Sequence, residues 1–125
     1  MVENKRWRTI IFYKAYFSDF FVRQRIKVQE KITWTFDLIE EHERVPEIYL
    51  KHLKTTDGLY EIRVQYGNDE IRIFCFFDKN QLVILANGFY KKSQKTPKKE
   101  IEKALKIKAA YFTGKNKSKS HGNKK

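Results

Sequence analysis

Between Leu59 and Pro97 the chain runs LYEIRVQYGNDEIRIFCFFDKNQLVILANGFYKKSQKTP, and the alternation inside it constrains the fold more than any other stretch. Tyr60, Ile62, Val64 and Tyr66 fall on one side of an extended backbone, while Glu61, Arg63 and Gln65 fall on the other. Gly67 and Asn68 supply the permissive backbone of a hairpin turn. The alternation then resumes, with Ile71, Ile73, Cys75 and Phe77 in one row and Arg72, Phe74 and Phe76 in the other. Asp78 to Asn80 read as the next turn. The run LVILA that follows is apolar on both faces, which predicts a mid-sheet strand beside a strand from the N-terminal segment.

The flanking segments read as support for these three strands. Arg8 to Lys14 have the β-branched and aromatic content of a first strand. Ser18 and Asp19 offer N-cap chemistry ahead of Phe21, Val28, Ile32, Phe36 and Ile39, whose spacing predicts either one long amphipathic helix or a helical hairpin broken near Arg23 to Arg25. Glu40, Glu41, Glu43 and Glu47 form an acidic patch around its end, as solvated helix glutamates commonly do, and Pro46 closes the segment. Ile48 to Gly58 read as a connector ending in a Thr-Asp-Gly turn. Thr96 with Pro97 then marks a helix start, with Ile101, Ala104, Leu105, Tyr111 and Phe112 as the apolar stripe and Gly114 as the stop. The result is an α+β domain with a mostly antiparallel sheet of about four strands, N-terminal helices packed on it and a C-terminal helix. Residues 1–112 are expected to form the domain and residues 113–125 a basic, disordered tail.

Charge is concentrated at one end. The formal net charge is +12, and 13 of the 27 Lys and Arg but only 2 of the 15 Asp and Glu come after Tyr90. Such an end attracts a polyanion through counterion release, or simply keeps a small protein soluble. No apolar run approaches the roughly 18 residues of a membrane span, and the N-terminal MVENKRWR lacks the pattern of a signal peptide. A cytoplasmic protein without membrane association is expected.

His42, His52 and His121 are scattered and Cys75 stands alone inside an apolar strand, so neither a metal site nor any cofactor motif is predicted. Arginine, lysine, tyrosine and carboxylate remain. This set suits rearrangement of an RNA phosphate, in which the substrate's own 2′-hydroxyl attacks the adjacent phosphorus and the protein positions, transfers protons and stabilises charge. If the two strands pair through Gly67-Asn68, Arg63 and Arg72 project from one face and can converge on a phosphate; alternatively they are solvent-facing residues paired with Glu61 or Asp69. Lys54, Lys91 and Lys92 are candidates for the same rim, and Tyr90 for an acid, a stacking platform or a plain rim aromatic.

LKHL at Leu50 to Leu53, GLYEIRV at Gly58 to Val64, IRIFCFF at Ile71 to Phe77 and GFYKKSQKTPKKEIEKAL at Gly88 to Leu105 together resemble the RelE/HigB toxin superfamily, most closely its phage-derived HigB-like branch. The resemblance covers the chain to about Phe112 and is most specific in the last motif. It implies a small RelE-like fold and metal-independent endoribonuclease activity on mRNA in the ribosomal A site, in contact with ribosomal RNA. It also implies inhibition by a cognate antitoxin, often a helix-turn-helix protein in this branch. Carried over by position, it implies catalytic roles for Arg63, Arg72, Lys91 and Lys92, with Glu61, Tyr90 or a lysine of lowered pKa as alternatives for the general base. Lys51, Lys54 and Lys95 would bind RNA. The chain departs from some members in having no histidine near Tyr90. The resemblance also leaves open a non-catalytic toxin of the related ParE branch, which poisons DNA gyrase, and a further alternative is a plain nucleic-acid-binding module without catalysis.

Overall fold

The alternating runs form the strands that their period requires. The computed structural model describes residues 6–122, with side chains described to Asn116. In chain order the elements are β1 (Thr9–Phe12), α1 (Ser18–Val22), α2 (Ile26–Glu41), β2 (Leu50–His52), β3 (Leu59–Tyr66), β4 (Asp69–Asp78), β5 (Leu82–Tyr90) and α3 (Lys98–Gly122). The sheet order is β1-β5-β4-β3-β2. All pairings are antiparallel except β1 with β5, which is parallel. The sheet thus has five strands rather than about four, because Leu50–His52, expected inside a connector, pairs with Tyr60–Ile62.

The sheet separates two apolar cores. On one face, Ile62, Val64, Ile71, Ile73, Cys75, Val83 and Leu85 pack with Phe17, Phe20, Val28, Ile32, Phe36 and Ile39 of the N-terminal helices. On the other, Leu59, Phe74, Phe76, Ile84, Ala86 and Phe89 pack under Ala104 and Ile107 of α3. Cys75 is wholly buried, and desolvation pushes its thiol pKa up.

The hairpin between β3 and β4 closes through Gly67-Asn68, with Tyr66 opposite Asp69 and Gly67 at φ +60°. A positive φ at the first loop residue is what a II′ turn demands of glycine. The N-terminal helical segment breaks at Arg23 to Arg25 without Gly or Pro. The carbonyls of Phe20 and Phe21 accept the Arg23 and Gln24 amides in a tight closing turn, and the side-chain amides of Gln24 and Gln29 donate to the same two oxygens at 2.8 and 2.9 Å. Ser18 lies inside α1 rather than capping it; the N-cap is Phe17, with no side-chain cap bond. Arg8 closes the end of α2 by donating to the carbonyls of Ile39, His42 and Glu43, and Glu40 accepts from Arg6 and from the Ile10 amide. Part of the acidic patch therefore fastens β1 to α2.

Beyond β5, α3 begins at Lys98, one residue later than the Thr96-Pro97 reading, with the Pro97 carbonyl accepting from the amides of Glu100 and Ile101. Gly114 does not end it. The helix continues to Gly122, and Lys115, expected in a disordered tail, donates to both Asp78 oxygens at 3.0 and 2.8 Å. Tyr111 donates to the same carboxylate at 2.8 Å. A helical glycine costs only about 1 kcal/mol, which contacts of this kind offset. Residues 123–125 lie outside the described residues.

These bonds from Lys115 and Tyr111 hold the Asp78 carboxyl below its usual pKa, and burial with the Asp78 bond raises the Tyr111 phenol to about 12. A carboxyl whose folded pKa is depressed stabilises the fold above its unfolded pKa of about 4 and loses that contribution as pH falls through the folded value. Asp78→Asn is therefore expected to lower the urea midpoint at pH 7, with the difference from wild type shrinking below pH 4.

A bulge interrupts the β4–β5 ladder: Ile73 faces Gly88 while Cys75 faces Leu85, so Phe74 stands opposite both Ala86 and Asn87. A Cβ on Gly88 would come within 2.9 Å of the Phe20 ring and 3.1 Å of the Phe17 ring. Gly88→Ala is expected to destabilise the fold by about 1–3 kcal/mol through overpacking, measurable by urea unfolding.

Candidate nucleic-acid site

The end of the sheet away from the Asp78 anchor is polar, and its chemistry begins with a cross-strand pair. Arg63 of β3 lies directly opposite Arg72 of β4. Like charges in such a pair repel, and Glu61 offsets the repulsion. Its Oε1 accepts from Arg63 Nε at 2.8 Å and lies 3.6 Å from Arg72 Nε. Arg72 Nη2 donates to Glu70 Oε1 at 2.8 Å. The Glu61 side chain is 1% exposed and that of Arg72 7%, whereas Arg63 is 28% and Glu70 49% exposed. Glu61 is therefore a buried brace that holds Arg63 by a hydrogen bond and Arg72 at ion-pair distance, Glu70 holds the outer end of Arg72, and Arg63 and Glu70 present the reachable atoms. Asp69, the other expected partner, pairs instead with Arg25 at 2.6 Å.

A groove of about 540 Å³ opens at this point, lined by Arg63, Arg72, Gln65 and Glu70 together with Tyr49 and with Lys31 of α2. A second cleft of about 390 Å³ is lined by Lys91, Lys92, Ser93, Gln94 and again Glu70. The Lys91 amide donates to the Glu70 carbonyl at 2.8 Å, tying the exit of β5 to the start of β4. Of the residues singled out in the sequence, Glu61, Arg63, Arg72, Lys91 and Lys92 are thus gathered at one end of the sheet. Lys51 is the cross-strand partner of Glu61 on the edge strand and shares its face. Lys54 is exposed in the turn after β2, and Lys95 is exposed in the loop before α3.

Tyr90 is not in this group. It is paired with Ile71 and lies on the α1–α2 face, where its hydroxyl donates to Gln24 Oε1 at 2.6 Å and its ring meets Phe20. The bulge is the cause. Counting alternately from Ile84 and Ala86 puts Tyr90 on the arginine face, and the extra residue at Asn87 reverses the parity, turning Phe89 into the α3 core instead. Glu70, which the sequence reading passed over, is the one carboxylate lining both clefts. Its register opposite Gln65, two residues before Arg72, was the available signal.

Among the described residues no group of three or more His, Cys, Asp or Glu side chains is placed to hold a metal ion. No described helix is long and apolar enough to cross a membrane. Comparison with known proteins gives one family: the sequence model described as Phage derived protein Gp49-like (DUF891) matches residues 19–109, from the start of α1 into α3. That family is associated with toxins of RelE/HigB type in toxin–antitoxin systems. No curated protein matches the chain.

Proposed function

Because the chain belongs to the Gp49-like phage-derived family, a RelE/HigB-like family of toxins, we propose that it is an endoribonuclease toxin that cleaves mRNA in the ribosomal A site and is restrained by a cognate antitoxin. The observation that carries this reading is the cross-strand pair Arg63 and Arg72, braced by buried Glu61 at the mouth of an open groove. Two fixed guanidinium groups suit the extra negative charge that develops as the substrate's 2′-hydroxyl attacks the neighbouring phosphorus. The brace matters because charge stabilisation of this kind works through groups already oriented before the reaction.

Glu70 is the proton acceptor in this scheme. It is exposed, lines both clefts and is held by Arg72, whereas Glu61 is enclosed. Lys91 and Lys92, which line the second cleft with Glu70, neutralise a flanking phosphate and serve as the proton donors. The 2′-oxygen loses its proton to Glu70, its new bond to phosphorus displaces the 5′-oxygen, which takes a proton from one of these ammonium groups, and a 2′,3′-cyclic phosphate remains.

Controlled expression with mapping of mRNA 5′ ends tests the proposal. The expected result is growth arrest with cuts at fixed positions within codons, and Glu70→Gln is expected to cut about 10²-fold more slowly, the low end of the range for losing a general base. DNA-damage induction with mRNA left intact would overturn the reading in favour of gyrase poisoning. Salt-dependent RNA binding without cleavage would overturn it in favour of a binding module.

A further inference from the structure

The outer face of α2 and the end of β3 each carry an aromatic ring that the two cores leave uncovered. Trp34 is 47% and Tyr66 36% exposed. They line one cleft of about 330 Å³ together with Lys27, Glu30 and Lys31. Cations already sit against both rings: Lys31 Nζ lies 4.2 Å from the centre of the Trp34 ring, and the Arg25 guanidinium carbon 5.6 Å from that of Tyr66. The Trp34 ring also meets Tyr49 at 5.8 Å. Lys31 and Tyr49 are in turn wall residues of the arginine groove.

The clefts therefore form a series. Glu70 is common to the Lys91–Lys92 cleft and the arginine groove, and Lys31 is common to the arginine groove and the Trp34–Tyr66 cleft. Exposed rings interleaved with cations, continuous with a groove for phosphate, are the combination that holds single-stranded nucleic acid: bases stack on the rings and cations track the backbone. Of the acidic groups nearby, Glu30 is paired with Lys27 at 3.6 Å and Asp69 with Arg25 at 2.6 Å, while Asp37 lies in the neighbouring cleft that Trp34 also lines, outside the Trp34–Tyr66 cleft itself.

We propose that the Trp34–Tyr66 cleft binds the bases of single-stranded RNA on one side of the phosphate held by Arg63 and Arg72. This rests on the endoribonuclease reading and adds a substrate subsite to it. A base stacking on Trp34 displaces the Lys31 ammonium from the ring and frees it to pair with the adjoining phosphate. Tyr66 takes a second base, with Arg25 beside it.

The test uses the full chain carrying Trp7→Phe, which leaves Trp34 as the single tryptophan. It is titrated at low salt with a 2′-O-methyl single-stranded RNA that cannot be cleaved, following tryptophan emission and the anisotropy of the labelled RNA together. The expected result is quenching of Trp34 that tracks binding. Trp34→Ala is expected to bind about 5- to 160-fold more weakly, the range for losing one base–aromatic stack, and Trp34→Phe to recover most of the loss. Binding with Trp34 emission unmoved and Trp34→Ala at wild-type affinity would overturn the subsite and assign the face to a protein partner. If that binding still depends on Arg63, the endoribonuclease reading stands without the subsite. No binding of the RNA by the wild-type chain, with no cleavage in cells, would overturn both.

Discussion

Arg63→Ala is expected to reduce mRNA cleavage by about 10²–10³-fold, the loss seen when one preorganised donor to a developing negative charge is removed. The variant should also be less stable, because Arg63 makes the 2.8 Å hydrogen bond to the buried Glu61 carboxylate and Arg72 Nε stands only at ion-pair distance from it, 3.6 Å. The two readouts separate the functional role from the structural one: growth arrest and 5′-end mapping report cleavage, and urea unfolding of the purified variant reports the fold. Arg63→Lys should recover only part of the activity, because an ammonium supplies charge without the planar fork. Wild-type toxicity in Arg63→Ala would remove the arginine pair from the reaction.

Arg72→Ala is expected to have its largest effect on the fold. Arg72 and Glu61 are both buried, so truncating the arginine takes one of two cations from a carboxylate in a poorly solvated site. Losing one member of a buried ion pair costs about 3–5 kcal/mol, and the low end applies here because Arg63 still reaches Glu61. Adding Glu61→Gln to Arg72→Ala should restore part of the loss by removing the buried charge. Urea midpoints of the single and double variants measure both effects. A loss below about 0.5 kcal/mol for Arg72→Ala would place this pair among ordinary surface ion pairs.

The two arginines were legible in the sequence because the period of β3 and β4 is unbroken on both sides of a glycine turn. Counting by twos was enough to put Arg63 and Arg72 on one face. That Glu61 is enclosed rather than exposed could not be counted. Its burial comes from Phe74 opposite it on β4 and from the edge strand beyond it. β2 itself was hidden because three residues with two polar side chains carry no period, and an edge strand is defined by its neighbour's free ladder. The face that Tyr90 takes is decided by a single inserted residue at Asn87, which alternation cannot register. The continuation of α3 past Gly114 was masked in the same way, since a local breaker was outweighed by an anchor, Asp78, from a distant part of the chain.

The parallel pairing of β1 with β5 has a consequence for the order in which the molecule can be assembled. β3 and β4 are neighbours in sequence and can close their hairpin as soon as both exist. β1 is the first strand made, but it pairs only with β5, the last. Loop closure of that length delays the contact, and during synthesis β1 has no partner strand until Leu82–Leu85 have left the ribosome. The arginine pair can therefore be in register before the sheet beside it is complete, but α2, which walls its groove, cannot be clamped through β1 until about two thirds of the 125 residues have emerged.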